Sequence, residues 1–265
     1  MRISVHFSAM LVAHSLFAQD SMTNMQHPAP LVIEIWSDVV CPFCYIGKRE
    51  FEAALERFPQ RDRVRVEWKS FELDPSAPAR SAEDTYTMLA QKYGMSRDAA
   101  RSRVADVAAR AASLGLHYDF DRAVLANSFH AHRLIQLAKA HGLGDAAEER
   151  LFKAYFTEGA HIGDAATLVR LAGEIGLDAA EASAMLESGD YGVAVRADER
   201  EAEQLGIRGV PFFVIDRKLA VSGAQSADHF LAALQQAWAG RPATAPSSGA
   251  ACAPGNADCL PGRTD

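Results

Sequence analysis

The stretch that decides the fold is Leu31-Val32-Ile33-Glu34-Ile35-Trp36-Ser37-Asp38-Val39-Val40-Cys41-Pro42-Phe43-Cys44. Its first six residues are mostly apolar and partly β-branched, the composition of a buried strand. Ser37-Asp38 can leave that strand in a turn. From Cys41 the period changes: Phe51, Ala54, Leu55 and Phe58 recur at helical spacing, with Lys48, Arg49, Glu52 and Glu56 expected to face out. Pro42 suits the first helical turn, where its missing N–H costs nothing, and Pro59 ends the helix. A second strand follows in the alternating run Val64 to Phe71, and the helical crossover between the two is long enough for a parallel pair.

Farther out the composition shifts. From residue 82 to about 205 alanine dominates and β-branched residues thin out. Helical periods cover Thr85–Tyr93, Arg97–Leu114, Ser128–His141, Ala146–Phe156 and Ala165–Ile175. Gly94, Gly115, Gly142, Gly159 and Gly176 stand near their ends as C-terminal stops, and Asp145 and Asp164 are expected to be N-caps. Strands return at Phe212–Ile215 and Leu219–Val221, joined by a turn at Asp216-Arg217-Lys218, and Ala227–Trp238 reads as a last helix. The organisation expected is therefore a leader over 1–30, a strand-and-helix unit made of 31–80 and 206–240, a helical block over 81–205, and a tail over 241–265 of linker composition.

The 265 residues are 49% apolar with a net charge of −7. That supplies a core and argues against nucleic acid, which would need a concentrated basic face. No apolar run reaches the length of a membrane span. Residues 5–18 are mildly apolar but interrupted by His6, Ser8, His14 and Ser15. The cytoplasm is the compartment expected, with export to the periplasm as the alternative if residues 1–19 act as a signal peptide. The oligomeric state stays open.

The chemistry rests on four cysteines, Cys41, Cys44, Cys252 and Cys259, in two close pairs at opposite ends of the chain. Disulfide exchange needs an attacking thiolate and a second thiol near enough to resolve the mixed disulfide. Two intervening residues put Cys41 at the helix N-terminus, expected to face solvent, and Cys44 in the first turn. There the helix dipole and free N–H groups favour a thiolate. Lowering a thiol pKa from about 8.5 to about 7 raises its thiolate fraction at pH 7 roughly fifteen-fold, and lost nucleophilicity returns roughly five-fold of that. The larger consequence is a better leaving group. C-x-x-C can also be half a zinc site, but the tail cysteines have six residues between them and no histidine sits at finger-like spacing, so no metal is expected. Gly209-Val210-Pro211-Phe212 puts a proline directly before a strand. X-Pro is the bond at which a cis peptide is cheap, and a cis proline would turn the Val210 backbone toward the active site, where it could pair with a substrate chain. An ordinary trans proline at a strand start is the alternative.

With these motifs in order, the chain resembles the thioredoxin superfamily. Within it, the chain looks like the DsbA-like branch that includes FrnE-type oxidoreductases and relatives such as 2-hydroxychromene-2-carboxylate isomerase and kappa-class glutathione transferase. The runs that carry the resemblance are Ser37 to Lys48, Phe71-Glu72-Leu73, Asn127-Ser128 with Ala131-His132-Arg133-Leu134, Leu151 to Phe156, Gly206 to Phe213 and Ser222 to Gln225. The resemblance implies an α/β, thioredoxin-like fold with a large all-helical insertion. It also implies thiol–disulfide oxidoreductase activity, with Cys41, Cys44 and Pro211 as catalytic residues and Pro42, Phe43, Val210, Asn127 and His132 near the substrate. The residues themselves favour a helix-capping role for Asn127, and packing at the domain junction is the alternative for His132. Asp38 would tune Cys41 or cap a turn. Protein or small-molecule disulfides and thiols are the expected partners. No cofactor is expected to be tightly bound, with glutathione as reductant or co-substrate. The isomerase and transferase relatives carry serine at the first motif position, so two cysteines favour redox chemistry; a glutathione-dependent isomerase or transferase is the alternative. Phe43 stands where DsbA has histidine, which points to a weaker oxidant.

FrnE-type proteins resemble this chain in having a second C-terminal cysteine pair, so Cys252 and Cys259 are an expected auxiliary redox pair, idle cysteines being the alternative. A linker of roughly ten residues typically spans about 15–20 Å, within reach of the cleft. Truncation after Gly240 is expected to lower isomerase turnover while leaving the fold intact; unchanged turnover and reduction potential would make the tail cysteines incidental.

Overall fold

The computed structural model describes residues 29–241. The leader and the Cys252–Cys259 pair lie outside the described residues. Four strands form one sheet in the order β2-β1-β3-β4: β1 Leu31–Ser37, β2 Val64–Ser70, β3 Phe212–Ile215 and β4 Leu219–Ser222. β1 and β2 run parallel, whereas β1–β3 and β3–β4 are antiparallel. The parallel pair is joined through α1, Pro42–Glu56. Seven helices lie between β2 and β3: α2 Thr85–Tyr93, α3 Arg97–Ala112, α4 Phe129–Ala140, α5 Gly144–Phe156, α6 Ala165–Glu174, α7 Ala179–Glu187 and α8 Gly192–Gln204. α9, Ala227–Ala239, closes the described chain. The fold is thioredoxin-like with a helical insertion. Among the described residues no helix is long and apolar enough to cross a membrane.

Alternation along β1 explains why it is the central strand. Ile33 and Ile35 pair with Ile215 and Phe213 of β3, and this face packs on α1 and α9. The Phe213 ring lies 5.6 Å from Phe51 and 4.5 Å from Phe230. Glu34 and Trp36 point the other way. There Trp36 packs with Ala202, Ile207 and Val214, and its Nε1 donates to the Asp198 carbonyl at 3.0 Å. So α8, which the sequence grouped with the insertion, lies against the sheet itself. The Asp198 carboxylate accepts from the Ser70 N–H at 3.0 Å and from Gln136 Nε2 at 2.6 Å, tying β2 to α4.

Most helix limits agree with the sequence reading to within two residues, and all five stop glycines have positive φ. Asp164 caps α6 through the Thr167 N–H. Asp145 does not cap α5, whose N-cap is Leu143. Its carboxylate instead accepts from Trp68 Nε1 at 3.1 Å. Lys48 does not face out: it is buried, and its ammonium meets Glu52, Asp145 and Glu149. Three carboxylates from two helices make that burial affordable to a cation.

The insertion joins the sheet unit through aromatic packing. Phe152 of α5 is fully buried and stacks on Tyr45 of α1 with centroids 4.8 Å apart. Phe152→Ala is expected to lower unfolding free energy by about 3–5 kcal/mol, the range for a buried aromatic truncation, as read by urea denaturation. A loss under 1 kcal/mol would mean that α5 is not anchored there.

Candidate active site

β1 ends in a turn that delivers the motif. The Cys41 N–H donates to the Asp38 carbonyl at 2.9 Å. Cys41 is then the N-cap of α1, with extended backbone (φ −91°, ψ 112°) and Pro42 in the first turn. The Cys44 N–H donates back to the Cys41 carbonyl at 3.0 Å. Both cysteines are free thiols. Cys41 is only 4% exposed and Cys44 1% exposed, so the expectation that Cys41 faces solvent is corrected: the Val210 carbonyl lies 3.6 Å from its sulfur. Phe43 between them is 40% exposed. Burial and the adjoining Cys41 sulfur push the Cys44 thiol up, opposed by the Asp38 N–H and the Ser37 hydroxyl beside its sulfur.

The Val210–Pro211 peptide is cis. Two contacts fix its neighbourhood. The Pro211 carbonyl accepts the Gly223 N–H at 2.8 Å, and Gly223 has φ +79°, a conformation that favours glycine. Gly47, three residues after Cys44, has no side chain to hold the ring off: a Cβ there would meet Pro211 Cγ at 3.0 Å. From the insertion, Arg110 of α3 donates to the Ala224 carbonyl beside this turn, and Tyr118 donates to the Pro42 carbonyl at 2.8 Å.

The structure thus brings Cys41, Cys44, Pro42, Phe43, Val210 and Pro211 together. Asn127 is elsewhere. Its Oδ1 accepts the Phe129 N–H at 2.8 Å at the mouth of α4, and its Nδ2 donates to Glu72 at 3.0 Å. It lines a recess of about 300 Å³ with Pro75, Phe129, His130 and Arg196, which none of the motif residues line. His132 is also corrected as a substrate contact: it is 0% exposed, with Nε2 3.4 Å from Asp38 Oδ1. A side chain without surface cannot touch a bound substrate. Asp38 does cap the turn, accepting the Val40 N–H at 3.3 Å, and its other oxygen takes the Leu73 N–H at 2.7 Å.

Sequence reasoning did not single out Gly47, Tyr118 or Glu148. Glu148 had a signal: it lies on the apolar stripe of α5 with Leu151, Phe152 and Tyr155. Burial pushes its carboxyl up to about 8. Among the described residues no group of three or more histidines, cysteines and acids is placed to hold a metal ion.

The model of the DSBA-like thioredoxin domain matches residues 32–235. The chain belongs to that family. This DSBA-like chain is 33% identical over 199 residues to YwbO of Bacillus subtilis (strain 168), covering 75% of this chain and 92% of that one. It is 44% identical to a Streptomyces coelicolor protein described as a probable DsbA oxidoreductase, with a TM-score of 0.77, over 88% of this chain and all of that one. Its fold is also similar to that of the cytosolic disulfide reductase DsbM of Pseudomonas aeruginosa with GSH (TM-score 0.56, 21% identity, 79% of this chain and 100% of that one). The DSBA-like family is one of thiol–disulfide oxidoreductases.

Because alanine ordinarily favours a helix over glycine by about 1 kcal/mol, the close approach of α1 to Pro211 gives a test of opposite sign. Gly47→Ala is expected to lower stability by about 1–3 kcal/mol, the cost of overpacking, and to reduce disulfide turnover. A raised melting temperature with full turnover would show that the contact does not constrain the site.

Proposed function

We propose that this chain exchanges dithiols and disulfides through Cys41 and Cys44, as an oxidoreductase of the FrnE type. The observation that carries this reading is the pairing of the two free thiols at the N-terminus of α1, with the Val210 carbonyl against Cys41. In the reductive direction the Cys41 thiolate attacks a substrate disulfide. One substrate sulfur leaves as a thiol and the other stays bonded to Cys41. Cys44 then attacks the Cys41 sulfur, the second substrate thiol leaves with the proton that Cys44 gives up, and a Cys41–Cys44 disulfide remains. Two glutathione thiols would restore the dithiol and form one glutathione disulfide. DsbM, a cytosolic reductase whose structure holds GSH, supports that choice by analogy of fold, and a reducing compartment such as the cytoplasm fits it. Exposed Phe43 suits an apolar segment of the substrate.

A glutathione-dependent isomerase or transferase would need one sulfur or hydroxyl at Cys41 and nothing at Cys44. A second thiol buried against the first favours exchange over that alternative.

Cys41→Ser is expected to abolish reduction of insulin disulfides, whereas Cys44→Ser should accumulate mixed disulfides at Cys41, detected by intact-mass measurement. Undiminished insulin reduction by Cys41→Ser would exclude the redox assignment.

A further inference from the structure

Beneath the thiols sits a group of ionisable side chains that the exchange reaction has not used. Asp38 and His132 are 0% exposed and Glu148 1%. His132 Nε2 lies 3.4 Å from Asp38 Oδ1, an ion-pair contact short of an aligned hydrogen bond, and neither ring nitrogen has a hydrogen-bond partner. Glu148 Oε2 is likewise buried without a partner. The charged groups facing His132 are Asp38 from the turn after β1, Glu148 from α5 and Glu72 from the segment after β2. Glu72 is itself paired to Arg196 of α8, and Glu148 also feels Lys48 and Asp145. All three groups around the ring are acids. Burial opposes the imidazolium, but the Asp38 carboxylate against the ring is the largest counterweight and the net push is upward; Glu148, its own carboxyl pushed up by burial, carries its proton at pH 7 and adds little there.

Asp38 links this group to the dithiol. Its carbonyl holds the Cys41 N–H, and its own N–H faces the Cys44 sulfur. Its carboxylate meets His132. One residue therefore touches the motif through its main chain and the imidazole through its side chain.

We propose that His132, supplied by the insertion, is a positioning residue of the dithiol: as an imidazolium it holds and neutralises the Asp38 carboxylate and so keeps the Asp38 main chain in place to favour the thiolate of Cys44 as it attacks the mixed disulfide. The step is the second of the exchange reading, on which this inference rests. The Cys44 S–H ionises, its electron pair forms the Cys44–Cys41 bond, the Cys41–substrate S–S bond breaks, and the leaving thiolate or solvent receives the proton. Pairing the Asp38 carboxylate with an imidazolium neutralises a negative charge on the residue whose N–H faces Cys44, which favours the ionised form.

The test uses the reduced full chain with Cys252→Ser and Cys259→Ser, so that Cys41 and Cys44 are its only thiols, and an aromatic disulfide that liberates a coloured thiolate. One thiolate is released when Cys41 attacks and a second when Cys44 resolves, so the two phases report the two steps separately across pH. In His132→Gln the second phase is expected to shift upward by about one pH unit, making it about tenfold slower at pH 7, while the first phase shifts less. An unmoved second phase, or equal shifts of both, overturns the proposal. Cys44→Ser separates the two readings: if the second phase survives in it, the exchange reading itself is wrong. If it vanishes there but His132→Gln behaves as wild type, only the role of His132 is wrong. Should His132→Gln not fold, nuclear magnetic resonance of carbon-labelled histidine in the unsubstituted chain decides. The buried imidazole is expected to be protonated at pH 7, and a neutral ring overturns the proposal.

Discussion

A carboxyl group without solvent contact has to have its oxygens answered from inside, and at Asp38 each answer comes from a different part of the chain. One oxygen takes the Val40 N–H and faces His132 of α4, and the other takes the Leu73 N–H beyond β2. The main chain of the same residue fixes the entry to α1. The turn that presents Cys41, the segment leaving β2 and the first turns of α4 are thus referred to a single point. Misplacing any of them would leave a buried polar group unpaired, at a cost of about 1–3 kcal/mol. That asymmetry fixes the geometry more firmly than any single contact could.

The sheet unit and the dithiol were legible because their signals are local. A β-branched run, a turn, two cysteines with two residues between them and a proline before a strand each carry meaning within a few positions. The cleft-facing role expected for His132 and Asn127 was not legible in that way. Whether a polar residue on an apolar helix face meets substrate or a buried partner depends on what a distant segment places opposite it. Here that segment is the turn after β1 for His132 and Glu72 for Asn127. Lys48 and Asp145 failed for the same reason: each looks like a surface or capping residue until α1 and α5 are brought together. The helix α8 was hard to delimit because its inner stripe is thin. Val195, Asp198 and Ala202 form it, one of them charged, and its N-cap is Tyr191 at φ +62°. Asp198 carries no local signal in the sequence, yet it is the acceptor that binds Ser70 and Gln136.

The insertion and the sheet unit share one set of polar and aromatic contacts. Lys69 of β2 meets Asp198 at 3.2 Å and Glu201 at 3.0 Å, both on α8, and the stacked rings of Tyr45, Phe152, Tyr118 and Phe156 run from α1 into the insertion. Neither part could keep its buried polar groups satisfied alone.

Tyr118 gives this sharing a practical meaning. Its hydroxyl holds the carbonyl of Pro42, inside the motif itself, from a loop some seventy-six residues away in sequence. Transplanting Cys41 to Cys44 onto a bare four-stranded scaffold would carry over the sulfur atoms but leave behind the clamp on their connecting peptide. For an engineer, the smallest portable unit of this chemistry is therefore the motif together with the helices that embrace it.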